Sequence, residues 1–154
     1  MLRNIIVLVC SVIMLAGFTS ISDKLKEEMV NLPQHYTQFD VKLGWEIKAG
    51  TDSATVEGII QNVRYARMEN IEIWVSAFDS SGKQIGRATS FIIPSQLDMS
   101  DLASFSMKLP VAAVPGAKLV FTYKYVASDG GSDDGGGINW MQSFESVVPP
   151  LPPA

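Results

Sequence analysis

Between Val56 and Gly86 the chain reads VEGIIQNVRYARMENIEIWVSAFDSSGKQIG, a block in which apolar and polar residues alternate between turn-forming ones. A period of two sends successive side chains to opposite faces, so such a block makes strands and cannot keep one apolar face as a helix. Ile71, Ile73, Val75 and Ala77 alternate with Glu72, Trp74, Ser76 and Phe78, and the aliphatic set is expected to face the core. Asp79-Ser80-Ser81-Gly82 follows as a hairpin loop: the carboxylate accepts backbone N–H groups and Gly82 supplies a positive φ. Lys83 to Ile93 returns as a strand that stops at Pro94.

The same period recurs on both sides of this block. Phe39, Val41, Leu43, Trp45 and Ile47 share one parity and Asp40, Lys42, Glu46 and Lys48 the other, which predicts a strand with one wet face. Ala54 to Val63 is also read as a strand, although both of its faces carry apolar residues, and Arg64 to Asn70 is read as the link to the next. Ala103, Phe105, Met107 and Leu109 form an inward stripe, as do Leu119, Phe121, Tyr123 and Tyr125. About seven short strands at this spacing predict an all-β fold, an immunoglobulin-like Greek-key β-sandwich over residues 37–127.

The ends are different in kind. One arginine precedes an apolar run from Ile5 to Phe18, which is short for a membrane span and suited to a secretory leader. Ser20 and Ser22 suit cleavage before Asp23, so residues 1–22 are read as a signal peptide; membrane contact is expected only if that segment stays uncleaved. Cys10, the single cysteine, lies inside the leader, so the remaining chain has no disulfide and no thiolate metal site. Residues 23–36 are read as a short amphipathic helix, with Leu25, Met29 and Leu32 on one face and Pro33 as its stop, followed by a linker holding His35. Residues 128–137 form a Gly/Asp-rich loop, 138–148 a last strand or edge cover, and 149–154 a Pro-rich tail.

A formal charge of −4 offers no basic field for phosphates, and the Lys and Arg residues are dispersed, so nucleic acid is not an expected partner. The chain carries no Gly-rich phosphate loop, HExxH, CxxC or Gly-x-Ser-x-Gly. With a single histidine it also lacks an ordinary Ser-His-Asp set, so neither an enzyme nor a cofactor is expected. Trp74, Phe78 and Trp140 are the candidate binding residues, for a protein partner that meets either an aromatic patch or a free sheet edge. An alternative reading is a small-ligand or Ca²⁺-binding protein whose ligands are Asp129, Asp133 and Asp134.

From Val56 to about Val126 the chain carries Gly58-x-x-x-Asn62, an aliphatic alternating strand, an aromatic-Asp corner at Phe78-Asp79, Gly82-Lys83 and a late Ala103-x-Phe105 strand. In these it resembles the FxLYD-type immunoglobulin-like domains of bacterial envelope proteins, with Val75 and Ala77 standing where that pattern has Phe and Leu. The resemblance implies a non-catalytic accessory or assembly module, periplasmic or extracellular, with a protein partner in the cell envelope and no catalytic residues.

Overall fold

The computed structural model describes residues 20–128 and 137–150. Among these residues one helix precedes nine strands: α1 (Ile21–Asn31), β1 (Gln34–Thr37), β2 (Val41–Ala49), β3 (Ala54–Asn62), β4 (Arg67–Phe78), β5 (Gln84–Phe91), β6 (Gln96–Leu97), β7 (Leu102–Leu109), β8 (Lys118–Ser128) and β9 (Ile138–Val147). They form two antiparallel sheets, one in the order β1-β2-β3-β7 and the other β5-β4-β8-β9, with β6 beside the start of β4. Strands distant in sequence are neighbours in both sheets, β3 with β7 and β4 with β8, which is Greek-key connectivity. The expected sandwich is therefore present. Its seven principal strands are β2, β3, β4, β5, β7, β8 and β9, and β1 and β6 are short additions.

The core lies between the sheets, and the predicted inward stripes fill it. Val41, Leu43 and Trp45 from one sheet meet Ile73, Val75, Phe121 and Tyr123 from the other, all buried. Four rings cross the gap in contact: Trp45 lies 4.8 Å from Phe121, Phe121 stacks on Phe144 at 5.1 Å, and Tyr36 stacks on Phe144 at 3.7 Å. Rings of this size each stabilise by about 1.5–3 kcal/mol through burial, with a further contribution from stacking.

Four expectations are corrected. Residues 34–37 are not linker but strand β1, paired through its whole length with β2, and His35 is exposed on it. Residues 64–70 are not all link: β4 begins at Arg67, and Asn70, at φ 52°, forms an irregularity that allows both Met68 and Ile71 to point inward. Residues 138–147 form the last strand that is one of their two expected readings, in ten-pair register with β8, so what changes is the boundary of the sandwich, from residue 127 to Val147. Phe39 and Asp40 lie before β2, in a bend, and exchange their expected places: Phe39 is 58% exposed and Asp40 is 0% exposed.

The apolar residues on both faces of β3 have a direct cause. Ile59 points away from the main core and is buried instead beneath α1, against Met29, Leu25, Leu32 and Leu102. Ser20 caps this helix by accepting the Asp23 N–H at 3.2 Å, so it starts two residues before the sequence places it. Gly44 allows the helix to lie close, since a Cβ there would sit 3.1 Å from Leu32 Cδ1.

Gly58 is under a tighter constraint. A Cβ on it would fall 2.6 Å from Phe105 Cζ and collide with the Gly44 carbonyl, whereas Gly82, at φ +81°, has open space around it. Gly58→Ala is expected to cost about 1–3 kcal/mol through overpacking, and Gly82→Ala about 1 kcal/mol through backbone strain. Urea unfolding of the two variants compares them, and a smaller loss for Gly58→Ala would mean that both Phe105 and the Gly44 backbone can move aside.

Candidate aromatic–arginine site

The three aromatic residues picked from sequence do not form one patch. Trp74 and Phe78 are half-buried on the outer face of the β5-β4-β8-β9 sheet, while Trp140 points to the inner side of the same sheet, at one end of the sandwich. Arg87, on neighbouring β5, places its guanidinium 4.5 Å from the Trp74 ring centroid. Phe78 lines a hollow of about 650 Å³ with Ile85, Val114, Pro115 and Lys118, beside the Asp79 hairpin. That hairpin is built as the sequence predicts: Asp79 Oδ1 accepts from the Ser81 hydroxyl at 2.6 Å and from the N–H groups of Ser81 and Lys83. These bonds, the Ser81 hydroxyl foremost, hold the carboxyl below its ordinary pKa. Asp79 is thus committed to the turn.

Trp140 belongs to a cluster that pairwise sequence patterns do not reveal. The turn from β3 to β4 brings Arg64 to this end of the sandwich, where its guanidinium carbon lies 5.9 Å from the ring centroids of both Phe39 and Trp140. Phe39 and Trp140 meet edge to face at 5.4 Å. Tyr65, next to Arg64, is 85% exposed. A planar guanidinium suits such a position because it stacks on ring faces and is only weakly hydrated.

Two buried polar side chains fix the cluster from below. Asp40 accepts from the Tyr123 hydroxyl at 2.9 Å through one carboxylate oxygen and from the Tyr125 hydroxyl at 2.8 Å through the other. The Tyr125 oxygen in turn accepts from Arg64 Nη1 at 3.4 Å. Asn62, also fully buried, donates through Nδ2 to the carbonyls of Ala66 and Leu97 and accepts the Arg64 N–H at 2.8 Å. Both side-chain donors of Asn62 are used, and its backbone N–H and carbonyl are paired with Asp101 and Ser100. The turn that carries Arg64 is therefore tied to the core at side chain and main chain.

Among the described residues no group of three or more His, Cys, Asp or Glu is placed to hold a metal ion. Asp129, Asp133 and Asp134 lie outside the described residues. No helix among the described residues is long and apolar enough to cross a membrane.

Burial first, and the Asp40 carboxylate second, push the Tyr123 phenol well above its ordinary pKa; burial does the same for Tyr125, partly offset by Arg64. A raised pKa in the fold means that the associated stability is complete below the free tyrosine value of about 10 and is lost as pH climbs above it. The two phenols are expected to ionise only as the fold opens, in one cooperative alkaline transition visible by ultraviolet titration. Tyr125→Phe strands one carboxylate oxygen and is expected to cost about 1–3 kcal/mol in urea unfolding. An unchanged midpoint would mean that Asp40 finds another donor.

No family profile matches the sequence, and no curated protein matches it. In structure the chain is similar to the GAE domain of GGA2p from Saccharomyces cerevisiae, with a TM-score of 0.51 and 11% identity over 77% of this chain and 100% of that one. A DUF4426 family protein from Pseudomonas aeruginosa aligns at a TM-score of 0.38 and 14% identity, over 75% of this chain and 97% of that one. At 11% identity the first likeness establishes the β-sandwich fold alone.

Proposed function

We propose that the chain is an exported, non-catalytic accessory or assembly module of the FxLYD type in a bacterial envelope, working in the periplasm or outside the cell. It binds a protein partner through the Phe39–Arg64–Trp140 cluster and the exposed Tyr65. The observation that carries this is the guanidinium of Arg64 set against the touching Phe39 and Trp140 rings, beside a tyrosine that touches little of its own protein. Tyr, Trp and Arg dominate the energetic centres of protein interfaces: Tyr and Trp bury a large area with few rotors to freeze, and Arg brings a planar guanidinium that stacks and donates several hydrogen bonds.

A second reading has its own support. Strand β9 is an edge of its sheet, ten residues long, with Glu145 as its one charged residue and no proline. A long edge without lysine or proline is a template for an added strand.

A photoreactive residue at position 65, in cells that produce the protein, is expected to yield one dominant protein adduct. Binding of that purified partner should weaken at least tenfold, an approximate hot-spot loss, in Tyr65→Ala and Arg64→Ala. Partner binding that is unchanged in both variants overturns the tip reading, and adducts obtained only from position 143 on β9 transfer it to the edge.

Export is proposed with cleavage before Asp23. Ser20 then leaves with the leader and α1 loses its cap, worth about 1 kcal/mol, while Leu25, Met29 and Leu32 keep their places on the sheet. Amino-terminal and intact-mass determination on fractionated cells should find Asp23 first in soluble envelope material. Met1 retained in the membrane fraction overturns it.

A further inference from the structure

Helix α1 divides the outer face of the β1-β2-β3-β7 sheet into two hollows of opposite charge. On one flank a hollow of about 270 Å³, floored by Met29 and Leu102, is rimmed by Lys26, Lys42 and His35. On the other a hollow of about 410 Å³, floored by Leu32 and Ile59, is rimmed by Glu28, Glu46 and Glu57. Lys48 bridges Glu46 and Glu57, so that rim holds three carboxylates against one ammonium and remains negative. Exposed apolar side chains stand beside each hollow: Val30, 77% exposed, at the basic one, and Phe91 and Ile93 at the acidic one.

We propose that this face pairs with a second copy of the same chain about a two-fold axis that lies in the plane of contact and runs along α1, between the two copies. A two-fold contact places what lies on one side of the axis in one copy against what lies on the other side in its mate, so a face with a basic and an acidic half is complementary to itself. The basic rim of one copy meets the acidic rim of the other, and the reverse pairing occurs at the same time. Val30 of each copy then lies against the partner's acidic hollow, where Phe91 and Ile93 stand, and apolar surface is covered where charge is matched. A face of one sign has no such option, and a partner of another kind would have to match both halves at once.

The test is a charge swap read by sedimentation of the protein as the cell processes it. Wild type is expected to show a concentration-dependent monomer–dimer equilibrium that weakens as salt rises. Lys26→Glu with Lys42→Glu makes both halves acidic, and Glu28→Lys with Glu57→Lys makes both basic. Each double variant alone should self-associate at least tenfold more weakly, an approximate figure for opposed charge pairs, while an equimolar mixture recovers a heterodimer of near wild-type strength. Thermal melts confirm that each variant is folded, so the recovery reports the interface and not the fold. Wild type that stays monomeric at all concentrations, variants that dimerise like wild type, or folded variants whose mixture fails to recover each overturn the proposal.

Discussion

Asp40 is a carboxylate with no exposed surface, and the two sheets are joined through it. It lies at the approach to β2 in one sheet and accepts hydrogen bonds from Tyr123 and Tyr125 on β8 in the other. Taking a carboxylate out of water costs several kcal/mol unless its oxygens are paired, so the arrangement is tolerated only where both phenols are in place. That condition makes the polar contact selective. A slip of β8 by one residue would turn both hydroxyls away and leave the charge buried alone, so Asp40 specifies how the sheets register more than it adds to their stability.

The role is one that antibody immunoglobulin domains give to a disulfide between the sheets, packed under a tryptophan. Here the only cysteine is Cys10, ahead of the sandwich, and the tie is made by the Asp40 bonds together with the Trp45, Phe121, Phe144 and Tyr36 rings. The rings supply most of the favourable free energy because they bury large areas, and the carboxylate supplies direction. Gly58 connects the two effects: its missing side chain lets Phe105 close over the middle of the first sheet, beside Trp45, its register partner on β2.

What the sequence reveals follows from the range of the interactions. Alternation depends on immediate neighbours, so the faces of β4, β7 and β8 are legible from residues such as Ile73, Phe105 and Phe121. The place of Asp40 is not, because the same alternation assigns it to water; the chain bends at Phe39 and Asp40, and the phenols it meets lie 83 and 85 residues further on. Strand β9 is hidden for another reason. Its inward side mixes Trp140 and Phe144 with Gln142 and Ser146, so composition does not mark which face is buried. Arg64 is ordinary in a turn until the fold brings Phe39 and Trp140 together beside it.

The tip and the core are consequently not independent. The Tyr125 hydroxyl donates to Asp40 and accepts from Arg64, so one atom belongs both to the tie between the sheets and to the proposed binding surface. An arginine so held gives up less conformational freedom when a partner arrives than one on a free stem, because folding has already restricted it. The same coupling limits how the surface can change. Tyr65 can be replaced at little expense to the fold, since most of it faces solvent. Loss of Arg64 removes a hydrogen bond from Tyr125 and a cation from beside two rings, and a bulky change there would press on the Asn62 network that shapes the turn. Selection for a different partner would therefore act more readily through Tyr65 and Phe39 than through Arg64 or Trp140, whose positions are fixed by what the core requires.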